Sequence, residues 1–393
     1  MERRKFIART GQLMTVAMFM STFGRRKLLA SPLDLEYTGK ENSEKRPNPS
    51  NFNEPILKAI ALGVNAPSPH NTQSWKFKIL NDREMLFYVD ENILLPATDP
   101  PSRQIHIGAG CFIETLVIGV TTLGYEATVE YFPENYKSSS DFGKKPVAKI
   151  SLLKKEIQAH PLAGYIYKRQ TNRREYKGDI ITRNEFRNIE KIVGNSHSKM
   201  TFINDIKEME PYLDVFYKGF EIESKTYRTN EETRHLFRYS EKERAEKRDG
   251  ISIPQMGYKG LIKWFAENSL DGGNKEKWHS EKSINLSLKS VLKGIESTKG
   301  IVFWKTEQNN FIDWMKMGRD YVKFNLATAQ MGFCVHPYNQ AIQEYDEMKP
   351  IRDRLNSLMS IKNEEKIQMI VRIGRSTTPY FSYRRNVKSY LAE

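Results

Sequence analysis

The chain has 393 residues, 39% of them hydrophobic and 28% charged, with a formal net charge of +14. This length and apolar share exclude a disordered chain and leave room for two domains of ordinary size. The positive balance suits nucleic acid, an anionic membrane face or a small phosphorylated ligand, but no zinc-finger spacing, RNP-type strand or basic zipper supports nucleic acid as a partner.

The chain opens MERRKFIART, continues GQLMTVAMFMSTFG and RRKLLAS, and so runs from basic to moderately apolar to a small-residue cut near Ala30. The apolar stretch is too short to span a hydrocarbon core of about 30 Å, so residues 1–30 are expected to be a signal peptide and not a membrane span. Arg3-Arg4-Lys5-Phe6-Ile7 resembles the twin-arginine export signal, with Glu2 standing where Ser or Thr is usual. The expected location is the bacterial periplasm or cell envelope; a frayed basic tail would instead leave the protein cytoplasmic. Residues 31–50 are polar and rich in Pro, Ser and Asn, and read as a linker.

Strands are expected at 75–80, 85–90, 200–205 and 300–306, where aromatic and β-branched residues lie between turn signals. Residues 105–129 and 314–335 look alike. Aligning Gly110 with Gly318 places Gly124 on Gly332, and each segment reads as a buried apolar helix closed by a glycine cap. A β-rich stretch follows each helix. Two copies of this size point to a pseudo-dimer within one chain, with halves at 51–160 and 161–393. The second half is longer because of residues 206–298, whose charge runs are expected to form solvated faces or a lid.

Cys111 and Cys334 are expected to be reduced or buried thiols, with one disulfide as the alternative in an exported protein. The seven histidines form no ligand pair at helical spacing, and no G-x-S-x-G or H-E-x-x-H motif occurs. No metal site and no side-chain nucleophile are therefore assigned.

Three stretches carry binding chemistry. Ala66-Pro67-Ser68-Pro69-His70-Asn71-Thr72-Gln73-Ser74-Trp75 joins a short helix to a strand, and its Asn71 and Gln73 amides can serve one planar heterocycle. A purely structural turn is equally compatible with that string. Arg169-Gln170-Thr171-Asn172-Arg173-Arg174-Glu175-Tyr176 offers guanidinium forks and a hydroxyl to a phosphate, or else forms an exposed basic turn. Arg384 and Arg385 lie in a basic C-terminal segment.

The first string resembles the PS-x-x-N-x-Q-PW loop of the FMN-dependent nitroreductase superfamily, and the second resembles its R-x-S-x-R-x-F loop, with Thr171 for Ser and the aromatic one place late. The phrases LPATDPPSRQIHIGAGC, YKRQTNRREY and EKRDGI are similar to the tandem, Acg-like branch. The resemblance implies an α+β fold of two nitroreductase-like halves, a mainly antiparallel sheet and flanking helices in each, packed as a monomeric pseudo-dimer. It also implies one FMN between the halves. Ser68, Asn71 and Gln73 would meet the ring and ribityl chain, while Arg169, Thr171 and Arg173, with Arg384 and Arg385, would hold the phosphate. One composite site can form, because the PS-x-x-N loop occurs only in the first half and the arginine loop only in the second. The expected activity is electron transfer from a donor such as NAD(P)H through flavin N5 to a nitroaromatic or quinone-like acceptor. A non-catalytic protein that sequesters FMN beneath a lid, or a fold that has lost flavin, remains open.

Overall fold

The computed structural model describes residues 44–362, 364–377 and 380–392. The expected export signal at 1–30 and most of the linker, through residue 43, lie outside the described residues.

The first half runs α1 (Pro55–Gly63), β1 (Trp75–Asn81), β2 (Glu84–Val89), α2 (Arg103–Val120), β3 (Tyr125–Tyr131) and β4 (Ala148–Lys154). The second repeats the order with α3 (Arg183–Val193), β5 (Lys199–Ile203), β6 (Ile301–Thr306), α10 (Phe311–Gln330), β7 (Cys334–Pro337) and β8 (Lys366–Gly374), with α11 (Lys349–Leu358) added before the last strand. Each half forms a four-stranded antiparallel sheet, in the orders β1-β2-β4-β3 and β5-β6-β8-β7. The chain is thus α+β, in two tandem halves of the same topology. Between β1 and β2 the chain needs only Asp82 and Arg83; at the equivalent place between β5 and β6 it inserts α4 (Ile206–Lys225), α5 (Tyr227–Leu236), α6 (Glu241–Lys247), α7 (Gly260–Ser269), α8 (Lys275–Trp278) and α9 (Glu281–Glu296).

The halves meet where α2 crosses α10. A Cβ on Gly110 would lie 1.9 Å from the Met315 carbonyl oxygen, and one on Gly318 would lie 2.0 Å from that of Ile107. The two residues matched by the repeat therefore pack against each other, the reciprocal contact of a two-fold axis. The Cys111 thiol donates to the Gly318 carbonyl at 3.3 Å. Gly124 and Gly332, the other matched pair, have φ of 71° and 74°, the left-handed cap that spares an L side chain its steric cost. By length and composition α2 could cross a bilayer, but it is buried in the protein core.

The main core is continuous between the halves: Phe112, Ile113 and Leu116 share it with Met315, Phe324 and Leu326. A second core lies between α4 and the second sheet, where Tyr212 and Phe216 pack on Phe303. Helices on both faces explain why β8 is buried along almost its whole length, whereas β3 alternates between half-buried and exposed residues. Both cysteines are free thiols; Cys334 accepts a hydrogen bond from Asn172 Nδ2 at 3.2 Å. The charge run of the insertion is not wholly a solvated face. Arg238 and Arg244 are buried, Arg238 paired with Asp249 and Arg244 with Glu241 and Glu267, because α6 and the strand-like segment after it fold back over the molecule.

Two outcomes follow from this packing. Gly110→Ala should lower unfolding free energy by about 3 kcal/mol or more, read by urea denaturation, because the added methyl meets backbone that cannot rotate away. His106, wholly buried on α2, donates from Nδ1 to the Ser102 carbonyl and accepts at Nε2 from Tyr136, and burial pushes its pKa down to about 4 from 6.5. Between those pH values the unfolded chain binds the extra proton, so this residue's contribution is complete above 6.5 and lost as pH falls toward 4. Wild type should therefore lose more stability than His106→Gln between pH 7 and 4.5, by on the order of 2–3 kcal/mol; equal losses would contradict the assignment.

Candidate functional site

A cavity of about 750 Å³ lies between the halves, and the insertion forms much of its roof. The loop at 66–74 forms one wall. His70, Asn71 and Gln73 have φ of 44°, 57° and 55°, so three non-glycine residues sit in the left-handed region within four positions. Such strain persists only where surrounding bonds over-determine it. Here they come from three directions. Within the loop, Gln73 N donates to Ser68 Oγ at 2.8 Å. From the insertion, the Gly250 carbonyl accepts from Asn71 Nδ2 at 3.1 Å and the Arg248 carbonyl accepts from Gln73 Nε2 at 3.0 Å. From the C-terminal arm, Arg384 donates to the Val64 carbonyl at 2.8 Å, the Ala66 carbonyl at 3.0 Å and Asn71 Oδ1 at 2.8 Å. Arg385 N donates to Gln73 Oε1 at 2.9 Å, its guanidinium to the Thr72 carbonyl at 3.1 Å, and Tyr390 also donates to Gln73 Oε1. The arm ends on the first sheet, where Ala392 N donates to the Phe77 carbonyl at 2.7 Å.

The arginine loop lines the same cavity. Arg169 donates to Asn325 Oδ1 at 3.2 Å and to the Asn65 carbonyl at 3.1 Å, which joins α10 to the end of α1. Its Nε has no partner among the described residues. Arg173 makes no hydrogen bond or ion pair among the described residues, and burial pulls its pKa down to about 10, so it stays charged at neutral pH. Tyr321 Oη on α10 and His70 Nδ1 are also buried without partners. His70 is held neutral, with a pKa near 4, by burial and then by the charge of Arg173. The strongest electrostatic neighbours of Arg169, Arg173 and Arg384 are tyrosines, Cys111 and other arginines, with no carboxylate among them. Farther round the wall, burial pushes Asp99 and Glu223 up to about 7.

Of the residues singled out in the sequence, Ser68, Asn71, Arg169, Thr171, Arg173 and Arg384 line this one cavity. Gln73 and Arg385 do not: the Gln73 amide is wholly buried between the arm and the insertion, and Arg385 directs Nη2 at loop carbonyls and stacks on Tyr390, its Nε being without a partner among the described residues. Arg384 lines the cavity, but most of its donors are already directed at carbonyl and amide oxygens. Sequence reasoning passed over Tyr321, His336, Tyr338, Asp99 and Glu223, which also face the cavity. Asp99 lies in the phrase LPATDPPSRQIHIGAGC and was within reach of that signal; the others sit alone in their segments.

No family model matches the sequence. Over 123 residues the chain is 29% identical to a Mycobacterium tuberculosis protein provisionally named an NAD(P)H nitroreductase, covering 31% of this chain and 34% of that one. A second protein of that organism with the same provisional name, acg, is 33% identical over 78 residues, 20% of this chain and 23% of its own. The chain therefore matches about a third or less of the length of these curated relatives. The FMN-dependent nitroreductase NfnB of Mycobacterium smegmatis, solved in complex with NADPH, superposes with a TM-score of 0.32 at 11% identity, over 56% of this chain and 94% of that one. Over these stretches the chain is similar to proteins provisionally named nitroreductases. Its two sheets repeat one strand order within the single chain.

The two arginines should respond oppositely to loss of charge in the ligand-free protein. Arg173→Met removes a half-buried cation that has no ion pair among the described residues and should stabilise by up to about 1 kcal/mol. Arg384→Met strands three buried oxygens and should destabilise by about 3 kcal/mol. Thermal or chemical denaturation reads both signs.

Proposed function

We propose that the cavity binds one FMN and that the protein is an FMN-dependent oxidoreductase of nitroreductase type. The carrying observation is the gathering around one cavity of the half-buried Arg173 guanidinium, which has no ion pair among the described residues, and of three buried atoms without partners among them, Arg169 Nε, Tyr321 Oη and His70 Nδ1. Buried cations without counter-charge are costly unless a ligand completes them, and a phosphate matches guanidinium geometry. The donor set thus fits the phosphate end of a flavin mononucleotide, with Arg169, Thr171 and Arg173 as its holders. Ser68 and the backbone of the strained loop through Asn71 stand where the ring system would lie, held by the arm and the insertion.

Bound flavin supplies the acceptance and donation of hydride, so no nucleophile is required of the protein. The chain's part is to bind, orient and exclude water. The 66–74 loop is clamped from both halves, which favours a fixed ring plane, and the insertion closes the roof. Asp99 and Glu223, with pKa values near 7, can each hold or release a proton at neutral pH within the same cavity. The proposed donor is NAD(P)H or another reductant, and the proposed acceptor is nitroaromatic or quinone-like. The roof supports a second reading, a protein that sequesters FMN without turnover. The order of residues 1–30 supports export to the cell envelope, which makes donors other than NAD(P)H worth testing.

The test is the visible spectrum of the purified full chain after incubation with FMN, before and after NADPH in the absence of oxygen. Retained flavin absorbance that bleaches supports the oxidoreductase; retained absorbance that persists under several reductants supports sequestration; failure to retain FMN overturns both. Arg173→Ala should weaken FMN binding about 10- to 100-fold, as expected for loss of a charge-assisted bond. Unchanged affinity would remove Arg173 from the phosphate site.

A further inference from the structure

Lys and Arg abound along the insertion's sequence, yet none of them faces the cavity. Among the described residues at 206–298 that line it there is no Lys, Arg or His, and the only carboxyl is Glu223. The wall is built instead from side chains such as Phe220, Phe237, Ile262, Phe265, Trp278 and Val291. The cations of the cavity come from the other elements, chiefly Arg169, Arg173 and Arg384. The two sides of one cavity thus differ in the chemistry they can recognise.

The apolar wall continues to the outside. Helix α7 buries none of its residues, and Leu261, Ile262, Trp264 and Phe265 are 76%, 64%, 56% and 63% exposed. An amphipathic helix on a soluble protein ordinarily turns such an arc inward. Ile262 and Phe265 belong both to this exposed arc and to the cavity lining, as does Leu286 of α9, which is 64% exposed. Ile262, Phe265 and Leu286 thus place apolar surface both in solvent and in the chamber, and exposed apolar patches of this kind mark binding.

We propose that the insertion wall is a separate binding site for an uncharged lipophilic molecule, which gains access past α7. This rests on the reading of the arginine wall as the anion-binding side, and goes beyond it by assigning the insertion's part of the lining. A dinucleotide's phosphates would find no cation there, whereas an apolar body with one or two neutral polar atoms could use the hydroxyls of Tyr258, Ser287 and Ser290, which line the same wall.

The probe is N-phenyl-1-naphthylamine, a neutral fluorophore that brightens in apolar surroundings, titrated into the full chain with and without FMN. Saturable binding is expected. Val291→Lys inside the wall and the exposed pair Ile262→Glu/Phe265→Glu should each weaken it at least tenfold, and Arg173→Ala should leave it within twofold while weakening FMN. Circular dichroism melts confirm that the variants are folded; the exposed pair keeps the test valid should Val291→Lys not fold. Linear, non-saturable uptake would overturn the proposal. So would loss caused by Leu261→Glu/Trp264→Glu with no effect of the lining variants, which places the probe on the outer face only. Probe binding without FMN binding would sink the flavin reading and leave this one standing; FMN binding with no probe binding would do the reverse.

Discussion

The crossing of α2 and α10 at Gly110 and Gly318 governs the rest of the molecule. Each glycine sits against the backbone of the opposite helix, nearer than any side chain would permit. Helices that close bring the end of α1, the strained loop and the arginine loop to one place. Arg169 is the visible consequence: one guanidinium reaches both the Asn65 carbonyl of the first half and the Asn325 side chain of the second. Were the helices held at the usual separation of about 8–10 Å, that bridge would have nothing to span.

Exchange between the halves then makes the site. The C-terminal arm leaves the second sheet and docks on the first, where Arg384 and Arg385 occupy the carbonyls and amides of the 66–74 loop. Three left-handed residues are affordable there because the arm and the 248–250 turn of the insertion hold them from opposite sides. The same bonds turn Asn71 and Gln73 inward. Pro67 through Asn71 still line the cavity, whereas Gln73 does not. Among the described residues, the buried atoms left without partners at the cavity include Arg169 Nε, Tyr321 Oη and His70 Nδ1.

Asymmetry between the halves has one source, the connection between the first two strands of each sheet. Two residues suffice in the first half, while the second spends nearly a hundred on helices α4 to α9. Those helices cover the second sheet, roof the cavity and present an apolar wall with an exposed apolar edge. A single repeated topology thereby acquires one covered chamber with two chemically different sides.

Much of this was legible in the sequence, because local rules carried it. The two apolar helices, their glycine caps and the strands at Trp75–Asn81 and Ile301–Thr306 follow from residue periodicity and turn chemistry, and the matching of Gly110 with Gly318 exposed the repeat. The strings around Asn71 and Arg173 pointed to the two walls of the cavity. Tertiary structure alone decided which polar atoms are spent and which are free. Gln73 and Arg385 look like ligand groups in the sequence but satisfy each other's segments, since a buried donor takes the nearest acceptor and that neighbour lies more than 300 positions away. Tyr321, His336 and Glu223 carry no local signal, because their chemistry comes from burial in a shared cavity. The sequence by itself determined the repeat of two halves and marked the two strings that line the cavity; folding decided which of their polar atoms face it, because desolvation and hydrogen-bond pairing depend on neighbours that only packing brings together.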